Sequence, residues 1–215
     1  MLAADLLMKE HRLIERIIPL LTKEVVRLRK GRPEPFDVAH GPEPVEGLVE
    51  GRLSKGGEVN AELIVSVVSF FRTYADRCHH GKEEDILFRA LASKPMSDEH
   101  RRTMDRLTEE HVLARALVGR LMLDQDRCVK GDKAAMAAMR QDIQELADLY
   151  PKHIGLEEKS FFLPCMDYFS AIEQAEMLRA FTEFDAKIVH EQYRTMIEDL
   201  EAAQKAKTRK GRTRK

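Results

Sequence analysis

Residues 79–88 read HHGKEEDILF and residues 153–162 read HIGLEEKSFF. Both carry a His, a Glu-Glu pair beginning four residues later, and a Phe four residues after the second Glu. A second pair of matching stretches lies upstream of each: Glu10-His11-Arg12-Leu13 and Glu110-His111-Val112-Leu113. The chain therefore gives the order His, then His-x3-Glu, twice over. His111 and His153 are 42 residues apart, and His11 and His79 are 68 apart. The excess of 26 is close to the length of an irregular stretch at 31–57, GRPEPFDVAHGPEPVEGLVEGRLSKGG. Without that stretch the two halves have the same spacing.

Around these residues apolar side chains recur every three or four positions, the signature of amphipathic helices. Leu7, His11, Ile14, Ile18, Leu21 and Val25 form one stripe, and Ile64, Val68, Phe71, Ala75, His79, Glu83 and Ile86 a second. Met104, Leu107, His111, Ala114, Val118 and Leu121 form a third, and Met136, Met139, Ile143, Leu146, Tyr150, His153, Glu157 and Ser160 a fourth. A fifth helix is expected from Ser170 to about Ala203, opened by a Ser170/Glu173 capping box with Phe169 as its staple. Breaks are read at Pro95–Ser97, at Gly131–Asp132 and around Pro164, and kinks at Pro19 and Pro151. The 31–57 stretch has no helical period and holds six of the 11 Gly, so it reads as an insertion. The expected organisation is one helical bundle over 1–205 with that insertion, and a basic tail at 206–215.

The helical reading sets the geometry. His111 lies 20 residues before Gly131 and His153 lies 22 after it. At about 1.5 Å per residue, an antiparallel hairpin brings both to one height. His11 and His79 flank the 31–60 connection in the same way. Positions i and i+4 share a helix face, so each His-x3-Glu presents both side chains to the bundle interior. A lone His in an apolar stripe is ordinarily a hydrogen-bonded core residue. Four imidazoles and two carboxylates at one level would cost several kcal/mol to desolvate, and a metal removes that cost. The candidate ligands are His11, His79, Glu83, His111, His153 and Glu157. They suit two metal ions, each held by two His, with both carboxylates bridging. A carboxylate bridge with open positions favours iron or manganese.

Helix 2 also offers His80 and Glu84 at i,i+4 spacing. Neighbouring residues on an α-helix differ by about 100°, so one pair alone can face the axis. The apolar stripe selects His79 and Glu83. His80 and Glu84 continue a charged face from Asp76 and Arg72, which assigns Glu84, like Glu158, to the surface or to a role behind the ligands. His40 is read as a non-ligand, His190 as either a surface residue or a source of a fifth nitrogen, and Cys78 as an inert buried thiol. Tyr74 and Tyr150 are expected to line the pocket or pack beside it.

Other chemistry is excluded by pattern. Glu-x-x-His, HExxH, GxGxxG and a phosphate-binding Gly-Lys-Ser/Thr loop are all absent. Three cysteines at unrelated spacings, Cys78, Cys128 and Cys165, point to a reducing compartment and no disulfide framework. No apolar run approaches the roughly 18 residues of a membrane span. Asp5, Lys9, Glu10 and Arg12 interrupt the first apolar stretch, so no signal peptide is read there and a cytoplasmic location is expected. The seven positive charges from Lys205 to Lys215 lack an accompanying nucleic-acid motif, so nucleic acid is not an expected partner.

The four histidines and two His-x3-Glu motifs, with the segments LLMKEHRLIERII, YADRCHHGKEEDILF, EEHVLARALV and HIGLEEKSFFLPCMDYF, resemble the hemerythrin-like (HHE cation-binding) proteins of bacteria over roughly 4–30 and 60–200. The resemblance implies an all-α fold, an up-down four-helix bundle of hemerythrin type with an additional C-terminal helix. It also implies a non-haem, carboxylate-bridged centre of two iron ions that binds or senses O2, NO or related oxidants. Oxygen-carrying members have a second His four residues after the third-helix ligand, where this chain has Arg115. The ligand set is thus nearer to bacterial di-iron sensors and iron–sulfur repair proteins, and implies an extra open position on one iron. Peroxide or NO reduction, iron donation to iron–sulfur clusters, and iron storage are the alternatives. No general acid, nucleophile or substrate pocket is legible, so whether the centre is catalytic stays open, as does any protein partner.

Overall fold

The computed structural model describes residues 2–30, 61–130 and 132–187, and among these every regular element is a helix. The 31–57 stretch, His40, His190, the end of the fifth helix and the basic tail lie outside the described residues. Helix α1 spans Ala3–Lys30. Helix α2 runs over 61–92 and changes winding along its length. It is α-helical over Ala61–Phe70, π-helical over Phe71–His80 and again over Glu83–Phe88, and α-helical over Arg89–Ala92. Helix α3 spans Asp98–Val129. Helix α4 runs over 133–166, α-helical over Lys133–Leu156, π-helical over Glu157–Phe161 and α-helical over Phe162–Met166. Helix α5 is described over 171–187.

The boundaries follow local chemistry. Ser97 caps α3 by accepting from the His100 N–H at 3.2 Å, and Asp132 caps α4 by accepting from Ala134 and Ala135 at 2.9 and 3.1 Å. Such a cap satisfies donors that the first helical turn leaves open. The capping box that opens α5 is present: Glu173 accepts from the Ser170 N–H at 2.8 Å, and the Glu173 N–H donates to Ser170 Oγ at 3.3 Å. The expected staple is not: residue 174 is Gln, and Phe169 packs in the core with the Lys94 ammonium 5.1 Å above its ring. The break expected around Pro164 falls just after it: the chain leaves the helix after Met166 and turns over 167–170. Pro19 and Pro151 both lie inside continuous helix.

The buried apolar residues form two compartments. One holds Ile14, Ile18, Leu21, Val68, Phe71, Leu117, Leu121, Met139, Ile143 and Tyr150. The other holds Leu7, Leu87, Leu91, Leu107, Phe161, Phe162 and Phe181. Along α1 and α3 the chain passes from the second compartment to the first, and along α2 and α4 it passes back. The four long helices therefore alternate in direction, as an up-down bundle requires. Between the compartments, one polar layer crosses the bundle. Met177 and Phe181 of α5 close the second compartment from outside.

Candidate metal centre

That layer contains all six residues singled out by the repeat. His11 comes from α1, His79 and Glu83 from α2, His111 from α3, and His153 and Glu157 from α4; none is more than 3% exposed. The equal-height expectation is met, with His111 Nε2 3.1 Å from His153 Nε2.

The two carboxylates span the layer. Glu83 Oε1 lies 3.2 Å from His79 Nε2, and its Oε2 lies 3.4 Å from His111 Nε2. Glu157 Oε2 lies 3.1 Å from His11 Nε2, and its Oε1 lies 3.3 Å from His153 Nε2. Each carboxylate thus touches one histidine of the first half and one of the second. None of these approaches has hydrogen-bond geometry: all four Glu83 and Glu157 oxygens, with the Nε2 atoms of His11 and His79, are buried without a hydrogen-bond partner.

One imidazole in this layer was not expected there. His80 is 1% exposed and stacks on His111 with ring centroids 3.9 Å apart. Both of its nitrogens are buried without a hydrogen bond. The reading that one pair alone can face the axis assumed 3.6 residues per turn. The π-helical winding of Phe71–His80 closes i→i+5 hydrogen bonds and turns less per residue. His79, His80 and Glu83 therefore all point inward, while Glu84 stays partly exposed at 27%. Protein atoms that could hold a metal ion fall into two groups: His11, His79, Glu83 and Glu157, and His80, His111 and His153. The repeat concealed His80 because its counterpart in the second half is Ile154.

Behind the layer, four carboxylates fix four imidazoles. His11 Nδ1 bonds Glu158 at 2.9 Å, His79 Nδ1 bonds Glu10 at 2.9 Å, His111 Nδ1 bonds Glu84 at 2.7 Å, and His153 Nδ1 bonds Glu110 at 2.9 Å. A carboxylate accepts, so Nδ1 carries the proton and Nε2 turns its lone pair inward. Each carboxylate meets a cation in turn: Arg12 at Glu158, Lys82 at Glu10, Arg115 at Glu84, and Arg106 at Glu110. The pattern has an approximate two-fold relation, because Glu10 serves His79 as Glu110 serves His153, and Glu158 serves His11 as Glu84 serves His111. Arg115 therefore holds Glu84 and Asp76, the latter at 2.6 Å, and does not enter the layer. Glu10 and Glu110 belong to the repeat read in the sequence, which assigned them no role although each immediately precedes a layer histidine.

The protein's own groups set the protonation. Burial pushes His79 and His80 well below the ordinary imidazole range. His111 is lowered by burial as well, against the pull of Glu84. His11 moves up, because Glu157 and Glu158 outweigh its burial. Glu83 is held well above the carboxylate range by burial and by the neighbouring Glu157. Glu157 is held down, because His153 and His11 overcome its burial. Tyr150, beside Phe71 at 4.8 Å between centroids, is kept protonated by burial. Cys78, Cys128 and Cys165 are free thiols, and burial raises each, so none is poised as a thiolate.

No described helix is long and apolar enough to cross a membrane. A family model, the hemerythrin HHE cation binding domain, matches residues 2–163. No curated protein and no solved structure matches the chain.

Proposed function

The chain belongs to the hemerythrin HHE cation-binding family, and from that premise we propose that it holds two iron ions and binds or senses O2, NO or a related small oxidant. The observation that carries this reading is the pair of buried carboxylates that span the layer. Glu83 and Glu157 each span two histidine sets, and their oxygens are buried without hydrogen bonds. A cation on each side satisfies those oxygens and the inward nitrogens together. His11 and His79 serve one ion, His80, His111 and His153 the other, and Glu83 and Glu157 serve both. Two irons so held supply reversible one-electron redox change and open positions for a small ligand.

The chain's own residues supply the rest. Glu158, Glu10, Glu84 and Glu110 fix the imidazole orientations and raise their basicity as ligands. His79 and His80 are kept neutral, and therefore able to ligate, by burial. Phe162, stacked on His11 at 5.6 Å, and Phe88, stacked on His111 at 6.0 Å, exclude water from one end of the layer. A reactant reaching residues this buried must slip between packed side chains, which favours a diatomic over a larger substrate.

Protein purified without a metal-binding tag should contain about two iron ions per chain by elemental analysis, following the one-centre-per-bundle arrangement. Its optical spectrum should change on adding O2, NO or azide. One zinc per chain, with no iron uptake on reconstitution, contradicts the reading.

A further inference from the structure

The four cations behind the histidines are not equivalent. Arg12, Arg106 and Arg115 are 55%, 58% and 37% exposed at their side chains, whereas Lys82 is 0% exposed. What covers Lys82 is α5. Asp185 accepts from Lys82 Nζ through both oxygens, at 2.7 and 2.9 Å. Lys82 Nζ also donates to Glu10 Oε1, and Glu10 Oε2 accepts from His79 Nδ1 at 2.9 Å. Beside this chain of contacts the Phe184 ring of α5 packs on α2 at Gly81. A Cβ on Gly81 would lie 2.7 Å from Phe184 Cζ, whereas a Cβ on Gly155, its counterpart in the second half, would meet nothing within 4 Å. Residue 156, the counterpart of Lys82, is Leu. The α5 contact is thus made to one half of the centre, the half with two histidines, and it lies beyond the 2–163 span of the family model.

We propose that Lys82 is a positioning residue that couples α5 to His79, so that docking of α5 through Asp185 sets how strongly Glu10 polarises that imidazole. This rests on the metal-binding reading above. Glu10 shares its charge between the His79 N–H and the Lys82 ammonium, and Asp185 draws the ammonium away from Glu10. Removing Asp185 leaves Lys82 wholly on Glu10 and weakens the pull on His79. Removing Lys82 leaves Glu10 wholly on His79 and strengthens it. Because coupling is reciprocal, metal on His79 must in turn stabilise the docked α5.

Three variants test this: Asp185→Asn, Lys82→Met and the double. In the iron-loaded protein the midpoint potential should rise in Asp185→Asn and fall in Lys82→Met. The Asp185→Asn shift should vanish in the Lys82→Met background, whereas independent field effects would add. Additive shifts, or shifts of one sign, overturn the coupling. A second readout uses zinc ions as the probe. Zinc loading should slow amide exchange over 178–187 at least several-fold in the parent chain and leave it unchanged in Lys82→Met. Equal protection in both overturns the proposal and makes α5 a passive cover. In protein stripped with chelator, the His79 Nδ1 proton resonance should move in opposite directions in the two single variants. That measurement stands even if the chain proves to bind no iron, and an unmoved resonance overturns the coupling by itself.

Discussion

Protonation ties the stability of the layer to pH, and the sign follows from its members. His79, His80 and His111 are held below the ordinary imidazole value of about 6.5, so below that pH the unfolded chain binds more protons than the folded one. Their contribution is complete above about 6.5 and is lost as pH falls. His11, raised in the folded chain, contributes stability in the opposite sense, and Glu83 holds a proton that the unfolded chain releases above about 4.5. Three imidazoles outweigh one imidazole and one carboxyl. In chelator-treated protein the urea midpoint should therefore fall between about pH 7 and pH 5.5; a flat or rising midpoint would mean that the imidazoles are not desolvated as described. Single substitutions divide the layer further. Glu83→Ala should abolish retention of a two-iron centre, because it removes a spanning carboxylate. Glu84→Gln should leave the layer intact but weaken iron binding roughly 10- to 100-fold through His111. His80→Ala should weaken retention of one iron and spare the other. Equal iron content and affinity in His80→Ala and the parent would remove His80 from the ligand set.

At the scale of the helix, much was legible and one feature was not. The stripes, the two turns at 93–97 and 130–132, and the Ser170/Glu173 box all follow from spacing and side-chain chemistry, and so does the common height of His111 and His153. The inward turn of His80 does not, because a π-helical segment has the same composition as an α-helical one and differs in hydrogen-bond register alone. The cations behind Glu10 and Glu84 were equally hidden, since Lys82 and Arg115 sit 72 and 31 residues from their partners. The caps should act independently of the centre. Asp132→Ala removes two acceptor bonds to the α4 N-terminus and the partner of Arg127 at 2.7 Å. It should lower stability by about 1 kcal/mol in urea unfolding while leaving iron content unchanged. Loss of iron in that variant would show that the 130–132 end and the polar layer are coupled.

Over the whole molecule, the approximate two-fold relation accounts for what the bundle needs. Each half supplies one Glu-His pair and one His-x3-Glu-Glu; Glu10 and Glu110 serve a histidine of their own half, and Glu84 and Glu158 serve one of the other half. The second half achieves this with residues 130–132 between its two helices. The first half has 31–60 in the equivalent place, between α1 and α2. We propose that the 31–57 stretch is an insertion into a bundle whose layer does not require it. Deleting 33–56 leaves residues 31–32 and 57–60 as the connection, within the two to eight residues common between antiparallel helices. Shortening a loop by that much changes its closure entropy by only about 1 kcal/mol, small beside the several kcal/mol at stake in pairing the buried carboxylates. The shortened chain should keep its helical circular dichroism signal, allowing for the residues removed, and its full iron content. Loss of iron with helicity retained would place a needed contact in the deleted stretch, and loss of both would make the stretch integral to the bundle.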